Sequence, residues 1–375
     1  MNSATQTNGW TWMKPAIWGF YLVVGLEFLF MISPFALHFY SAYGEPLRWL
    51  TASPVTAWLT WFFLPHYSQT ASPILSVVKP LGFLLAELGL LLFLIGVVQI
   101  YGSKLLRRGA VTGGLYRVVR HPQYFALSVL GMGVTLIWPR FLVLLSFVSM
   151  LFVYYILAAW EEKLCLERYG ESYRQYQQRT GRIFPRIFRI SRSDGSDNGF
   201  RWRRGLAIYA VTVSVVLILA FAARAISLDA IAARFGENVV VLSPALLADV
   251  ELDSAYRLAL TDPQAAGIVE REQQLLVYVV PVEWFLPDLP LHTEAEIRRV
   301  GGGHHTAAFS DRKYKLLFCR PRLHSDGATG REIVARAHGQ EPLGLVRVDL
   351  DSGQILGWDE IPDHVIWGDI PTPLF

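Results

Sequence analysis

The chain predicts a multi-pass α-helical membrane protein with a helical hairpin and a cytoplasmic C-terminal helix in its core, and a small α+β domain appended. Three observations lead there. Of 375 residues, 53% are hydrophobic and mean hydropathy is positive, a balance that favours a membrane protein with a soluble appendage. Apolar stretches of spanning length recur in the first 226 residues, with arginines gathered between them. Beyond Ile226 the texture becomes that of ordinary globular sequence. The net charge of +3 says little about acidic partners, and no nucleic-acid partner is expected.

Taken in order, residues 15–39 follow one early Lys14 and show no small-residue cleavage site, so they predict a retained membrane helix. Residues 49–64 are short and rich in Trp, which suits an interfacial or re-entrant piece. Residues 80–101 approach the roughly 20 residues that a helix needs to cross. Residues 122–160 are nearly uninterrupted apolar sequence, broken once at Trp138-Pro139-Arg140, and predict two helices returning on themselves. Residues 205–226 form the last span.

Lys104, Arg107, Arg108, Arg117 and Arg120 lie between the third apolar stretch and the hairpin. Arg168, Arg174, Arg179, Arg182, Arg186, Arg189, Arg192, Arg201, Arg203 and Arg204 lie between the hairpin and the last helix. The positive-inside bias puts both loops in the cytoplasm. Four parts are therefore expected: a membrane core at 1–190, a cytoplasmic linker at 191–204, a transmembrane helix at 205–226 and an extracytoplasmic α+β domain at 227–375. The cell inner membrane is the expected location if the source is bacterial.

Both ends of the hairpin then meet on one face. They carry Tyr116, Arg120, His121, Pro122 and Tyr124 on one side and Glu161 and Glu162 on the other. Ionisable groups beside a bilayer are costly and usually mark a functional site. Carboxylates and aromatic rings suit cations, and Arg, His or Tyr donors suit a carboxylate, so such a pocket fits a zwitterion such as S-adenosylmethionine. Methyl transfer from a sulfonium requires alignment and desolvation more than a strong acid or base.

Gly114-Leu-Tyr116-Arg-x-x-Arg120-His121-Pro122-x-Tyr124, followed after the hairpin by Glu161-Glu162, Tyr169-Gly170, Tyr173, Tyr176 and Arg182-x-x-Pro185, resembles the isoprenylcysteine carboxyl methyltransferase and phospholipid methyltransferase family. The resemblance covers about 75 residues and keeps order and spacing across two blocks. It departs at Ala126, where the family often has glycine, and at Cys165, where it commonly has leucine. It implies an S-adenosylmethionine-dependent enzyme whose lipophilic acceptor enters from the bilayer. By this resemblance His121, Pro122, Tyr124, Glu161 and Tyr116 are the expected cofactor ligands, and Glu162 and Arg120 the expected catalytic pair. The acceptor classes are an isoprenylcysteine-like carboxylate, a phospholipid amine or a small thiol.

Plainer readings stand beside these. The arginines also satisfy the positive-inside bias, the glutamates also fit ion pairs with Lys163 and Arg168, and Tyr169, Tyr173 and Tyr176 also fit an interfacial aromatic stripe. Membrane sterol and steroid reductases, which use NADPH, resemble the chain through His121-Pro122-Gln123-Tyr124-Phe125, but the paired glutamates fit methyltransferases better. A third reading makes the extracytoplasmic domain the working part and the membrane region an anchor.

In that domain residues 274–282, 314–319 and 345–350 read as strands and 244–260 as helical. His304-His305 behind three glycines reads as a solvated loop, and Asp351-Ser-Gly353 as a turn between strands, so no metal is expected. Cys165 and Cys319 have no partner spacing for zinc or a redox pair.

Overall fold

The computed structural model describes residues 22, 45–66, 68–106, 111–185, 202–286, 289–300, 308–309, 311–325 and 327–361. The expected span at 15–39, apart from Leu22, residues 191–201 of the expected linker and His304-His305 lie outside them, and residues 202–204 of that linker are helical. The chain divides into two compact units.

Unit 1 holds residues 78–138 and 143–218 among its described parts. Its helices are α1 (Pro73–Leu105), α2 (Pro122–Ile137), α3 (Phe141–Tyr169), α4 (Glu171–Arg179) and α5 (Trp202–Asp229), the ends of α1, α3 and α5 passing into the second unit. Three are long and apolar enough to cross a membrane, Pro73–Ser103, Phe141–Tyr169 and Arg203–Asp229, and Pro122–Ile137 is a shorter apolar helix. The expected hairpin is therefore α2 and α3. The span expected from residue 80 starts earlier, because α1 begins on Pro73 and continues through Pro80. Proline suits a first helical position, and its missing hydrogen bond is tolerated inside a spanning helix. Residues 45–51 are helical and Ala57–Thr60 is a single 3-10 turn, too short to span.

Small residues join α1 to α2. A Cβ on Gly89 would lie 2.3 Å from the Leu130 nitrogen, and one on Gly133 would lie 2.4 Å from the Ala86 nitrogen. Backbones that close are how spanning helices gain packing without a hydrophobic drive. Gly89→Val should therefore separate the pair, costing about 1–3 kcal/mol, seen as a lower thermal midpoint in detergent. An unchanged midpoint would refute the seam. Between α2 and α3, Phe147, Met150, Tyr154, Ala158 and Ile183 form a buried cluster with Tyr124 and Phe125 packed against it.

Unit 2 combines residues 30–77, 139–142 and 219–375. Its sheet has strands β1 (Ala232–Phe235), β2 (Val239–Ser243), β3 (Leu275–Pro281), β4 (Lys313–Arg322), β5 (Gly339–Asp349) and β6 (Gln354–Asp359) in that spatial order. Only β2 and β3 pair in parallel, and helices α6 (Asp249–Ala259) and α7 (Pro263–Arg271) make the crossover between them. Every residue of β3 is buried, as expected of a strand covered on both faces. Asp262 starts α7, its carboxylate accepting from the Gln264 and Ala265 amides at 2.8 and 3.2 Å, with Pro263 at the first position. Two further short helices, α8 (Glu294–Val300) and α9 (Arg331–Arg336), lie among the domain's described residues.

Arg224, buried on α5, donates to the carbonyls of Phe62 and Ala335 at 2.6 and 2.9 Å and lies 4.7 Å over the Trp61 ring. The α5 end, the Trp61–Phe62 loop and α9 are thus held by one side chain. The Asp351-Ser-Gly353 turn joins β5 to β6, and Asp349 accepts from the Asp351 and Ser352 amides. Cys165 and Cys319 are both free.

Candidate functional site

Adjacent residues on a helix point about 100° apart, so Glu161 and Glu162 on α3 face different surroundings. The Glu162 side chain is 3% exposed and that of Glu161 is 43% exposed. One carboxylate serves the interior and the other remains open.

Glu162 sits where the two sequence blocks close on each other. Gly170, at φ +56°, breaks the chain between α3 and α4, and α4 then brings the segment after it back past the start of α2. There Arg120 N donates to Gly181 O at 2.8 Å, His121 N to Arg182 O at 3.0 Å, and Gly181 N to Val118 O at 3.2 Å. This pairing delivers a second arginine to the glutamate. Arg120 Nε donates to Glu162 Oε1 at 2.6 Å, and Arg182 Nη2 and Nε donate to Oε2 at 2.7 and 3.0 Å. Gln177 Nε2 reaches Oε2 at 3.3 Å. The Arg120 Nη1 also caps α4 by donating to the carbonyls of Gln177 and Thr180, where the helix dipole favours a cation.

His121 precedes Pro122, the first residue of α2, and so stands at a helix start. Its Nδ1 is 3.1 Å from Glu161 Oε2, and its Nε2 is 3.5 Å from Glu162 Oε1, outside hydrogen-bond geometry. Tyr124 donates its hydroxyl to Glu161 Oε1 at 2.7 Å and stacks between His121 and Tyr154, with centroids 5.5 and 5.0 Å away. Burial disfavours the imidazolium, but the hydrogen bond to Glu161 and the negative charges of Glu161 and Glu162 outweigh it and raise the His121 pKa. A raised folded-state value adds stability that is fully present below the unfolded pKa and is lost as pH rises through the folded one. The stability difference between the parent and His121→Gln should therefore be largest in mild acid and shrink above neutrality in thermal melts. A difference that does not vary with pH would remove His121 from the charge network.

Upstream, Gly114–Arg117 forms a 3-10 turn. Gly114 has φ +60°, and a Cβ there would meet the Gln99 amide nitrogen at 2.2 Å. Gln99, on α1, accepts from the Leu115 amide at 3.2 Å. Tyr176 donates its hydroxyl to the Tyr116 carbonyl, so α4 ties to this turn as well. The Tyr116 hydroxyl is buried with no hydrogen-bond partner, and burial raises its pKa.

The expected residues Tyr116, Arg120, His121, Pro122, Tyr124, Glu161 and Glu162 thus gather at the open end of the hairpin. Sequence reasoning passed over Gln99, Gln177 and Arg182 as site residues. Gln99 offered a signal, being one of the few polar side chains in a mostly apolar helix. Gln177 offered none, because its place depends on the return of α4. Tyr176, expected in an interfacial stripe, is instead an internal tie.

Chemically the arrangement joins an open carboxylate, an imidazole, two buried polar atoms with unfilled hydrogen-bond capacity and stacked aromatic faces. Residues 94–172 match the family model described as phospholipid methyltransferase. No curated protein and no solved structure matches the chain.

Proposed function

We propose that this chain, whose residues 94–172 match the phospholipid methyltransferase family model, is a membrane methyltransferase that moves a methyl group from S-adenosylmethionine to an amphiphilic or small acceptor. One observation carries the reading: Glu162 is enclosed by arginines while Glu161, held by His121 and Tyr124, remains open.

The donor set fits the cofactor. The Tyr116 hydroxyl and His121 Nε2 are buried polar atoms without hydrogen-bond partners, and a ligand carboxylate would satisfy both as donors. Glu161 and the faces of Tyr124 and Tyr154 suit an ammonium or a sulfonium. Bound there, S-adenosylmethionine supplies an electrophilic methyl carbon that is displaced in line.

Glu162 and Arg120 have a positioning role: they lock the start of α2 to the end of α4 and hold His121 in place. Glu161 becomes the residue facing the reaction. A carboxylate or thiolate acceptor needs no base, whereas an amine or thiol would give its proton to Glu161. Exposed leucines along α1, such as Leu84, Leu91 and Leu94, suit a bilayer and a membrane-borne acceptor.

We also place the site on the cytoplasmic face and residues 227–375 outside, from the arginine-rich loops. A protease site inserted in the exposed turn at Asp351 should be cut from outside intact spheroplasts, and cleavage from the cytoplasmic side alone would reverse the topology.

Binding measured on detergent-purified protein separates the enzyme classes. Labelled S-adenosylmethionine should bind, and His121→Ala should abolish binding while the protein stays monodisperse. Binding of NADPH instead, or of neither, would overturn the methyltransferase reading.

A further inference from the structure

Within the C-terminal domain lies a cavity of about 300 Å³, lined by Glu283, Trp284, Phe285, His292, Arg299 and Lys315 among others. We propose that it binds a small aldehyde or ketone carrying an acidic group, and that Lys315 captures the carbonyl as an imine.

The Leu286 backbone N–H donates to His292 Nε2 at 3.1 Å. A backbone amide can only donate, so Nε2 carries no proton. The ring is then neutral, and its single proton sits on Nδ1. That Nδ1 is 3.3 Å from Lys315 Nζ. An N–H facing an ammonium would set donor against donor, so Lys315 meets it with a lone pair. The hydrogen bonds thus require an uncharged amine.

The surroundings agree. Lys315 lies in the middle of β4 and is 1% exposed, with Val280 and Arg347 as cross-strand neighbours. Its other contact is the Leu291 carbonyl at 3.5 Å. Burial pushes the Lys315 pKa down; Arg347 adds to this, while Glu296, Asp359 and Glu283 oppose it. Asp359 is already paired with Arg347, and Glu296 accepts from the Thr293 amide and hydroxyl at 2.9 and 3.0 Å. Burial holds the His292 pKa down at about 4, keeping the ring neutral at pH 7.

A buried neutral lysine at a cavity wall is a nucleophile. Trp284 and Phe285, both buried, offer apolar walls. Arg299 is exposed and lines the same cavity beside Glu283 and Glu296, and its guanidinium is the group there that suits an acidic substituent. The volume fits a small molecule.

In the reaction the Lys315 lone pair forms a C–N bond to the carbonyl carbon, and the C=O π pair moves to oxygen, which takes up a proton. Nitrogen loses a proton, and the carbinolamine expels its hydroxyl as water to leave the imine. One water is released, and nothing is oxidised or reduced.

The test uses the full-length protein in detergent with pyridoxal 5′-phosphate, which carries an aldehyde and a phosphate. Borohydride traps any imine as a secondary amine, and peptide mass spectrometry locates it. Lys313, two residues away and more exposed, is the internal reference. At neutral pH Lys315 should be labelled about tenfold faster than Lys313. Glyoxylate with cyanoborohydride should give the same preference, and Lys315→Met should lose the fast site while Lys313 still reacts. Equal or slower labelling of Lys315 in the parent protein, with either probe, overturns the proposal whether or not the variant folds.

Discussion

Replacing Glu162 with alanine should dismantle the site rather than merely slow it. Its carboxylate accepts from Arg120, Arg182 and Gln177 and is 3% exposed. Removal leaves two guanidiniums facing each other in a partly buried space without their counter-charge. Breaking a buried pair in this way costs about 3–5 kcal/mol, because the remaining charge cannot recover its hydration. The loss would spread, since Arg120 also caps α4 and Arg182 belongs to the segment paired with residues 118–121. Thermal unfolding in detergent should drop in midpoint, and S-adenosylmethionine binding should vanish with it. Glu162→Gln should recover little, having the shape but not the charge. A variant as stable as the parent would show that the arginines find other partners and that Glu162 does not organise the site.

That role could not be read from the pair Glu161-Glu162 itself. The chain shows that two carboxylates stand together at the end of an apolar run; the 100° step along a helix then separates their environments, and which one turns inward depends on what packs there. The arginine that decides it, Arg182, is 20 residues away and arrives through the Gly170 break and the return of α4. The hairpin was legible because Trp138-Pro139-Arg140 interrupts apolar sequence whose composition leaves no other place for it. The start of α1 was not, since proline ends helices in water, where solvent satisfies the freed backbone, whereas beside a bilayer an unwound backbone has no such partner and the helix runs on through Pro80. In the C-terminal domain β3 and β4 were legible as dense runs of Val, Leu and Tyr. Lys315 was hidden in one of those runs, and only the tautomer of His292 gives it meaning.

The counterpart on the neighbouring residue has the opposite character. Glu161→Gln should leave the fold intact, because its side chain is 43% exposed and its partners are one imidazole and one phenol. The amide oxygen still accepts from Tyr124, so stacking with His121 and Tyr154 is kept. What disappears is the negative charge beside the bound cation and the exposed carboxylate of the pair, the one placed to take a proton. For an amine or thiol acceptor the turnover number should fall by about 10²-fold, the scale of a lost general base. For a carboxylate acceptor no proton moves, and the deficit should appear as weaker cofactor binding with turnover nearly kept. Steady-state kinetics on a panel of methyl-labelled acceptors therefore reads the substrate class from the variant itself. If Glu161→Gln keeps both turnover and cofactor affinity, the open carboxylate faces neither reactant, and the reacting side of the hairpin must be sought around Tyr116 and Gln99 instead.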